Sequence, residues 1–194
     1  MKWFVFDYGN VLSLPQPPSD VEVMARTAGT EPAAFERGYW EHRLEFDRGA
    51  LSPSAYWAAV LGRPVSASEM AKLVAMDVAS WAHPNAPVIA VLDELLDRGV
   101  GVALLSNAPV CLADGLDELP WIAAIEQRFY SGRMGLVKPD REIYERVAGE
   151  LGGDPADMAF IDDRPENVAG ARAFGMTGVH YTSAPALRDE LATL

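Results

Sequence analysis

The sequence predicts an α/β fold in which a Rossmann-like parallel sheet core carries a small inserted helical cap. In residues 83–194, short apolar segments typical of buried strands alternate with amphipathic segments typical of helices. This alternation favours right-handed βαβ units and a parallel sheet covered by helices. A further strand is predicted at residues 2–6, but only helical patterns follow it, over residues 15–82. We therefore assign residues 1–14 and 83–194 to the core and residues 15–82 to the cap.

The predicted strands of the core are short and apolar, which is typical of strands buried on both faces of a sheet. They lie at residues 2–6, 101–105, 128–130, 158–161 and 177–181. Helices are predicted between them at residues 88–98, 140–151 and 165–174, and a terminal helix is predicted to begin at Pro185. A glycine directly follows each of the three internal helices, and glycine is the residue that most often ends a helix.

The cap is predicted to be entirely helical. Prolines at positions 15, 17 and 18 mark the point where the chain leaves the first strand. Ser52 followed by Pro53 is a typical helix start, because serine caps free N–H groups and proline suits the first helical position. The cap helices are predicted at residues 19–28, 32–46 and 53–61, and from Ser66 or Ser68 to residue 79.

The composition argues against several classes of function. The 194 residues carry a formal net charge of −12, which argues against nucleic acid or an anionic membrane as the main partner. Cys111 is the only cysteine, so an intrachain disulfide cannot form. The sequence contains no apolar run of transmembrane length, and the run at residues 3–6 is too short for a signal peptide. We expect a soluble cytoplasmic protein, and its oligomeric state stays open.

Polar side chains follow three of the predicted strands, at the edge where a parallel sheet binds its ligands. They are Asp7, the pair Ser106 and Asn107, and the pair Asp162 and Asp163. Lys138 lies in a loop just before a helix and can reach the same edge. Clustered carboxylates repel one another unless a cation is present, and hard oxygen ligands favour Mg²⁺. One carboxylate could then attack phosphorus while the serine and the lysine hold the phosphoryl oxygens.

Four segments at these positions resemble the motifs of the haloacid dehalogenase (HAD) superfamily, in the order found in that family. They are Phe6–Leu12, Leu104–Asn107, Lys138–Pro139 and Phe160–Asn167. The resemblance spans nearly the whole chain, and the most similar group is the small-cap subfamily of cytoplasmic sugar-phosphate phosphatases. It implies the HAD fold and a magnesium-dependent phosphomonoester hydrolase. Its substrate would be a small phosphorylated metabolite, with a sugar phosphate as the predicted class.

The resemblance also implies roles for the first and fourth motifs. Asp7 would be the nucleophile, would form an aspartyl-phosphate, and would bind the Mg²⁺ cofactor. The backbone carbonyl of Gly9 would be a second metal ligand. Asp162 or Asp163 would complete the protein ligands, and the sequence does not say which of them binds the metal directly. Asn167 would support the loop that carries them.

In the second and third motifs, the resemblance implies contacts with the phosphoryl group. Ser106 and Asn107 would bind phosphate or orient the nucleophile. Lys138 would neutralise both the carboxylates and the phosphoryl group. We therefore name Asp7, Ser106 and Lys138 as the predicted catalytic residues.

The cap offers candidates for recognition of the rest of the substrate. Trp40 could stack on a sugar or a base, and Arg43 or Arg48 could meet a second anionic group. Ordinary packing of the tryptophan and ion pairing of the arginines at the surface are the competing interpretations.

One departure from the family pattern concerns the general acid/base. Many HAD phosphatases carry an acidic residue two positions after the nucleophile, where this chain has Gly9. Such a group contributes roughly 10²–10⁴-fold to the rate. Either a substitute exists, such as a water bound by Asp163 or a cap residue, or turnover is slow, or the leaving group needs little protonation. A non-catalytic module that binds a phosphate ligand or a protein is one alternative function. A 2-haloacid dehalogenase is another, although its characteristic tyrosine would stand at Gly9 and Tyr8 is one residue early.

Overall fold

Residues 3–194, which the computed structural model describes, contain five parallel strands in one sheet. Their bounds are β1 Trp3–Phe6, β2 Gly101–Ser106, β3 Gln127–Tyr130, β4 Met158–Asp162 and β5 Thr177–His180. The spatial order is β3-β2-β1-β4-β5, and every neighbouring pair is parallel. The predicted α/β class and parallel sheet are confirmed. Lys2, which the sequence placed in the first strand, lies outside the described residues.

The register of the central strands brings the predicted strand ends together. Strand β1 lies between β2 and β4, and Phe6 pairs with Leu104 on one side and with Ile161 on the other. The residues that follow these pairs therefore meet at the carboxyl edge of the sheet, where open α/β sheets bind ligands. Asp7 and Asp162 are adjacent for this reason.

The segment at residues 15–82 is helical, as expected. Its helices are α1 Pro18–Thr27, α2 Pro32–Glu41, α3 Arg43–Asp47, α4 Pro53–Leu61 and α5 Ala67–Trp81. The side chain of Ser52 caps α4, as predicted. The side chain of Ser66 caps α5, for which the sequence had left Ser66 and Ser68 open. The helix predicted at residues 32–46 is interrupted at His42, where φ is −106° and ψ is 3°. A new set of helical hydrogen bonds begins there, since the Phe46 N–H donates to the His42 carbonyl.

The cap helices bury an apolar cluster of their own. This cluster includes Phe35, Tyr39, Tyr56 and Trp57, and it is separate from the two clusters of the core. Helices α2 and α4 pack closely at Gly38, where a Cβ atom would lie only 2.7 Å from the carbonyl oxygen of Val60. A separate apolar cluster supports the division at residues 15–82, which we keep as a proposal.

Six further helices surround the sheet in the described part of the core. They are α6 Ala86–Asp97, α7 Val110–Asp117, α8 Ser131–Met134, α9 Arg141–Leu151, α10 Pro165–Phe174 and α11 Ala184–Leu191. Helices α6, α7 and α11 supply residues to the cluster on one face of the sheet, and α9 and α10 supply residues to the cluster on the other. Gly152 and Gly175 end α9 and α10 in the left-handed conformation, as predicted. Within residues 3–194, none of the helices has the length and apolar character needed to cross a bilayer.

Candidate active site

Asp7 lies directly after β1 and is held from two sides. Its N–H donates to the carbonyl of Ile161 in β4 at 2.8 Å, which extends the pairing of the strands by one residue. Its Oδ1 accepts a hydrogen bond from the Tyr8 N–H at 2.7 Å and lies 2.7 Å from Nζ of Lys138. Asp7 is only 7% exposed, so its carboxylate has a fixed orientation at the base of the site.

Lys138 bridges the carboxylates that the sheet brings together. Its Nζ lies 2.7 Å from Asp7 Oδ1 and 2.7 Å from Asp162 Oδ2, and it donates to the carbonyl of Leu105 at 3.1 Å. Burial alone would lower the pKa of Lys138, but the charges of Asp7 and Asp162 raise it above its usual value. Lys138 therefore stays an ammonium group at neutral pH and neutralises part of the acidic cluster.

Asp162 and Asp163 have different environments although they are adjacent. Asp162 is fully buried, and its two oxygens accept hydrogen bonds from the Arg164 N–H, Lys138 Nζ and Asn167 Nδ2. Asp163 is partly exposed and lines the cavity described below, and its Oδ2 accepts a hydrogen bond from Asn10 Nδ2 at 2.9 Å. The structure therefore leaves coordination capacity at Asp163, whereas hydrogen bonds occupy Asp162.

The three acidic residues form a set that suits a hard divalent cation. Asp7, Asp162 and Asp163 each place a carboxylate oxygen within 4.8 Å of the others. Burial raises the pKa of Asp7 to about 8 in the metal-free chain; Lys138 opposes this rise, and Asp162 and Asp163 add to it. A bound cation would reverse that shift, because positive charge favours the ionised carboxylate. Gly9 also lines the cavity, as its predicted role requires.

The two predicted phosphate contacts, Ser106 and Asn107, have side chains in different environments. Ser106 is 4% exposed and lines the cavity. The side chain of Asn107 binds the backbone of Lys138 at both ends: Nδ2 donates to the carbonyl at 3.0 Å, and Oδ1 accepts from the N–H at 2.9 Å. The amide of Asn107 therefore positions the loop that carries Lys138, although the residue also lines the cavity.

A cavity of about 680 Å³ lies above the acidic cluster, between the sheet edge and the cap. Its cap-side residues are Trp40, Arg43, Leu44, Asp47 and Trp81. Trp40 and Leu44 are 51% and 53% exposed, and both line this cavity. Side chains of this kind beside a reaction centre provide an apolar surface for the part of a substrate that leaves.

The two arginines proposed from the sequence have separate environments. Arg43 is buried; its Nε donates to Asp47 Oδ1 at 2.8 Å, and its Nη1 contacts the Tyr39 hydroxyl and Asp77. Arg48 pairs with Asp140 of the core at 3.1 Å and does not line the cavity. Of the two, only Arg43 is placed to meet a substrate, and most of its donors already have partners.

The space beside Gly9 contains an indole ring. A Cβ atom on Gly9 would lie 3.4 Å from the ring of Trp81. Trp81 Nε1 donates to the Tyr39 hydroxyl at 3.1 Å, and the Trp81 carbonyl accepts from the Tyr8 hydroxyl at 2.7 Å. A side chain at this position, where the family pattern places an acid, would therefore begin in van der Waals contact with the Trp81 ring.

Sequence reasoning missed three residues of this region: Asp47, Asp77 and Trp81. The spacing of Tyr39, Arg43 and Asp47 at four-residue intervals was a usable signal, because such residues share one side of a helix. Asp77 and Trp81 lie at least thirty residues further along the chain, and only tertiary contacts bring them into the cluster, where each hydrogen-bonds with the Tyr39 hydroxyl.

Comparison with known proteins agrees with this geometry. A family model described as haloacid dehalogenase-like hydrolase matches residues 1–175. The chain is 31% identical to sesquiterpene phosphatase astK of Aspergillus oryzae over 194 residues, covering 98% of this chain and 94% of that protein.

Solved structures show the same fold. HAD family enzyme BT-2542 of Bacteroides thetaiotaomicron, in complex with magnesium and inorganic phosphate, superposes with a TM-score of 0.70 at 20% identity and 94% coverage of both chains. The L-2-haloacid dehalogenase of Xanthobacter autotrophicus superposes with a TM-score of 0.69 at 21% identity, covering 100% of this chain and 83% of that one. These structures share the fold, and the match to the family model over residues 1–175 means that the chain belongs to the haloacid dehalogenase-like hydrolase family.

Proposed function

We propose that the protein is a magnesium-dependent phosphomonoester hydrolase in which Asp7 attacks phosphorus and forms an aspartyl-phosphate. The observation that carries this proposal is the convergence of Asp7, Asp162 and Asp163 around the buried Nζ of Lys138 at the base of a cavity. Phosphoryl transfer depends mainly on positioning and on neutralisation of charge, and this arrangement provides both. The phosphatase relative that covers most of the chain supports the same reaction class.

The metal ligands that fit best are Asp7, the backbone carbonyl of Gly9 and Asp163. When bound there, Mg²⁺ would neutralise the carboxylates and polarise the phosphoryl oxygens. Asp163 is the better direct ligand of the two adjacent aspartates because it lines the cavity. Asp162 would instead act as a positioning residue, holding Lys138 at 2.7 Å and the side chain of Asn167 at 3.0 Å.

The remaining residues of the sheet edge would hold the phosphoryl group. Ser106 would donate a hydrogen bond from its hydroxyl to a phosphoryl oxygen, and Lys138 would neutralise charge beside the nucleophile. Asn107 would act mainly through the two hydrogen bonds that hold the Lys138 backbone. Lys138 is held by Asp7, Asp162 and the Leu105 carbonyl before substrate arrives, which is the condition under which electrostatic stabilisation is most effective.

The identity of the leaving group is the least determined part of the function. The sequence predicts a small phosphorylated metabolite in the cytoplasm, with a sugar phosphate as its class. Trp40 and Leu44, exposed over the cavity, favour a second class, in which the phosphate is carried by an apolar or aromatic alcohol. The similarity to a sesquiterpene phosphatase supports this second class. Arg43 would contact a second anionic group only through Nη2, because its Nε and Nη1 already contact Asp47 and Asp77.

The first experiment is hydrolysis of p-nitrophenyl phosphate with and without Mg²⁺. The variant Asp7→Asn removes the nucleophile, and the matched control Asp93→Asn changes an exposed aspartate of α6 far from the cavity. We expect magnesium-dependent turnover in the wild type and in Asp93→Asn, and none in Asp7→Asn. Equal turnover in Asp7→Asn would contradict the proposal.

A panel of substrates then separates the remaining alternatives. Sugar phosphates and phosphates of apolar alcohols compete as leaving-group classes. Absence of turnover across the panel, with tight binding of inorganic phosphate, would favour the non-catalytic module. Halide release from a 2-haloacid without Mg²⁺ would favour the dehalogenase.

A further inference from the structure

The absence of an acid at Gly9 raises the question of which group exchanges a proton with the leaving group. Among the described residues, the cavity is lined by four carboxylic acids: Asp7, Asp47, Asp163 and Glu166. Asp7 and Asp163 are the proposed nucleophile and metal ligand. Glu166 is exposed and paired with Arg164, and its pKa is lowered, first by a backbone hydrogen bond and then by Arg164. Asp47 of the cap is the acid that is left.

Asp47 is oriented on one side and open on the other. It is the last residue of α3 and is 7% exposed. Its Oδ1 accepts a hydrogen bond from Arg43 Nε at 2.8 Å. Its Oδ2 has no hydrogen-bond partner within residues 3–194, although the residue lines the cavity. One oxygen is therefore held by a cation while the other can exchange a proton with a group in the cavity.

Asp47 is also held against the core, so its place over the site does not depend on the cap alone. Its carbonyl accepts a hydrogen bond from Ser131 Oγ, which in turn accepts from the Ala108 N–H at 2.8 Å, directly after the predicted phosphate contacts. Two residues further on, a Cβ atom on Gly49 would lie 2.8 Å from the Gly132 carbonyl. A general acid must stay within hydrogen-bond reach of its proton acceptor, and these contacts restrict the movement of Asp47.

The charges around Asp47 suit a group that exchanges protons near neutral pH. Burial raises its pKa to about 6; Arg43 opposes this rise, Asp77 adds to it, and Lys138 opposes it weakly. The effect of Lys138 also indicates that Asp47 lies within electrostatic range of the ammonium group that contacts Asp7. A protonated Asp47 would not repel an incoming phosphate, whereas a carboxylate would.

We propose that Asp47 is the general acid/base of the reaction, supplied by the cap in place of the acid that Gly9 lacks. This inference rests on the proposed phosphatase function. In the first step, Asp7 Oδ forms a bond to phosphorus, the bond from phosphorus to the leaving oxygen breaks, and the Asp47 proton passes to that oxygen. In the second step, water attacks the aspartyl-phosphate, its proton passes to the Asp47 carboxylate, and the bond from Asp7 to phosphorus breaks. The enzyme returns to its starting state and releases inorganic phosphate.

The test compares two substrates of similar size that differ in how much their leaving groups need a proton. p-Nitrophenyl phosphate releases a stable anion, and p-methoxyphenyl phosphate releases a more basic one. We expect Asp47→Asn to lower kcat/KM for p-methoxyphenyl phosphate by roughly 10²–10⁴-fold, the usual contribution of a general acid/base. The loss for p-nitrophenyl phosphate should be smaller by at least about tenfold. The control Asp93→Asn changes an exposed aspartate that does not line the cavity. It should change neither value.

A second measurement follows the pH dependence of the two substrates. In the wild type, the ratio of kcat/KM for the p-methoxyphenyl ester to that for the p-nitrophenyl ester should fall as pH rises through about 6, because protonated Asp47 is lost. In Asp47→Asn the ratio should not change with pH. Equal losses on both substrates in Asp47→Asn, or a pH-independent ratio in the wild type, would overturn the role of Asp47 and leave the phosphatase proposal intact. No magnesium-dependent hydrolysis of either ester by the wild type would overturn the phosphatase proposal itself.

Discussion

The core and the cap each contain a buried cation between two carboxylates, and the two clusters differ in what completes them. In the core, Lys138 lies 2.7 Å from both Asp7 and Asp162. In the cap, Arg43 lies 2.8 Å from Asp47 and 3.5 Å from Asp77. All of these residues are less than 10% exposed. The same arrangement, a buried cation between two carboxylates, therefore occurs on both sides of one cavity.

The difference lies in the balance of charge. The core cluster has a third carboxylate, Asp163, which leaves an excess of negative charge that a divalent cation would neutralise. The cap cluster is completed by neutral donors instead, since the Tyr39 hydroxyl donates to Asp77 Oδ1 at 2.6 Å. The core cluster is thus suited to a metal and a phosphate. The cap cluster is suited to hold one acid in place over them.

The largest expected effect comes from removal of the core cation. Lys138→Met would leave Asp7 and Asp162 buried without a cation. We expect kcat to fall roughly 10²–10³-fold and the free energy of unfolding to fall by about 3–5 kcal/mol. Urea unfolding and steady-state kinetics measure the two effects, with the exposed Lys72→Met as the control. A stability change no greater than that of the control would contradict the compensating role of Lys138.

The matching change in the cap is Arg43→Met, which removes the cation between Asp47 and Asp77. Breaking a buried pair from one side typically lowers the free energy of unfolding by about 3–5 kcal/mol. Without Arg43, the pKa of Asp47 would rise further above its unfolded value, so the folded state would bind this proton more tightly and lose stability as pH increases. The deficit relative to wild type should therefore be larger at about pH 8 than at about pH 5. An equal deficit at both pH values would show that lost packing, not charge, dominates.

Metal binding should distinguish the two adjacent aspartates without an activity assay. Mg²⁺ should raise the Tm of the wild type, because a ligand that binds only the folded state adds about 2.7 kcal/mol at 100 times its Kd. Asp163→Asn should need at least about tenfold more Mg²⁺ to reach the same Tm shift, which corresponds to about 1.4 kcal/mol of binding free energy. Asp154→Asn, which changes a loop aspartate before β4, should leave it unchanged. A normal shift in Asp163→Asn would assign direct coordination to Asp162.

The smallest expected effect concerns the apolar surface of the cap. Trp40→Ala should raise KM for the phosphate of an apolar alcohol roughly three- to tenfold, or about 1 kcal/mol, because part of the indole area that would contact the substrate is lost. KM for a sugar phosphate should change less if the apolar class is correct. Val23→Ala alters another exposed apolar residue, 42% exposed, that does not line the cavity, and it should change neither value.

Most of the core site was predictable because most of its residues stand at the end of a strand or directly after it. An apolar run that ends in a polar residue indicates a strand end, and parallel pairing brings such ends to one edge. Asp7, Ser106 and Asp162 are together for this reason, and their spacing along the chain matches family motifs. In the cap cluster, the four-residue spacing of Tyr39, Arg43 and Asp47 was the one usable signal. Asp77 lies in α5, and no local pattern connects it with the other three.

The sequence by itself determined the α/β class, the parallel sheet and the residues at its carboxyl edge, because these follow from local patterns and from the rules of strand pairing. Only the tertiary structure decided which of Asp162 and Asp163 faces the cavity, since burial depends on what packs around each carboxylate. It likewise decided the place of Asp47, whose carbonyl accepts a hydrogen bond from Ser131, 84 residues away. Contacts between residues so far apart depend on how the cap docks on the core, and no local pattern records that docking.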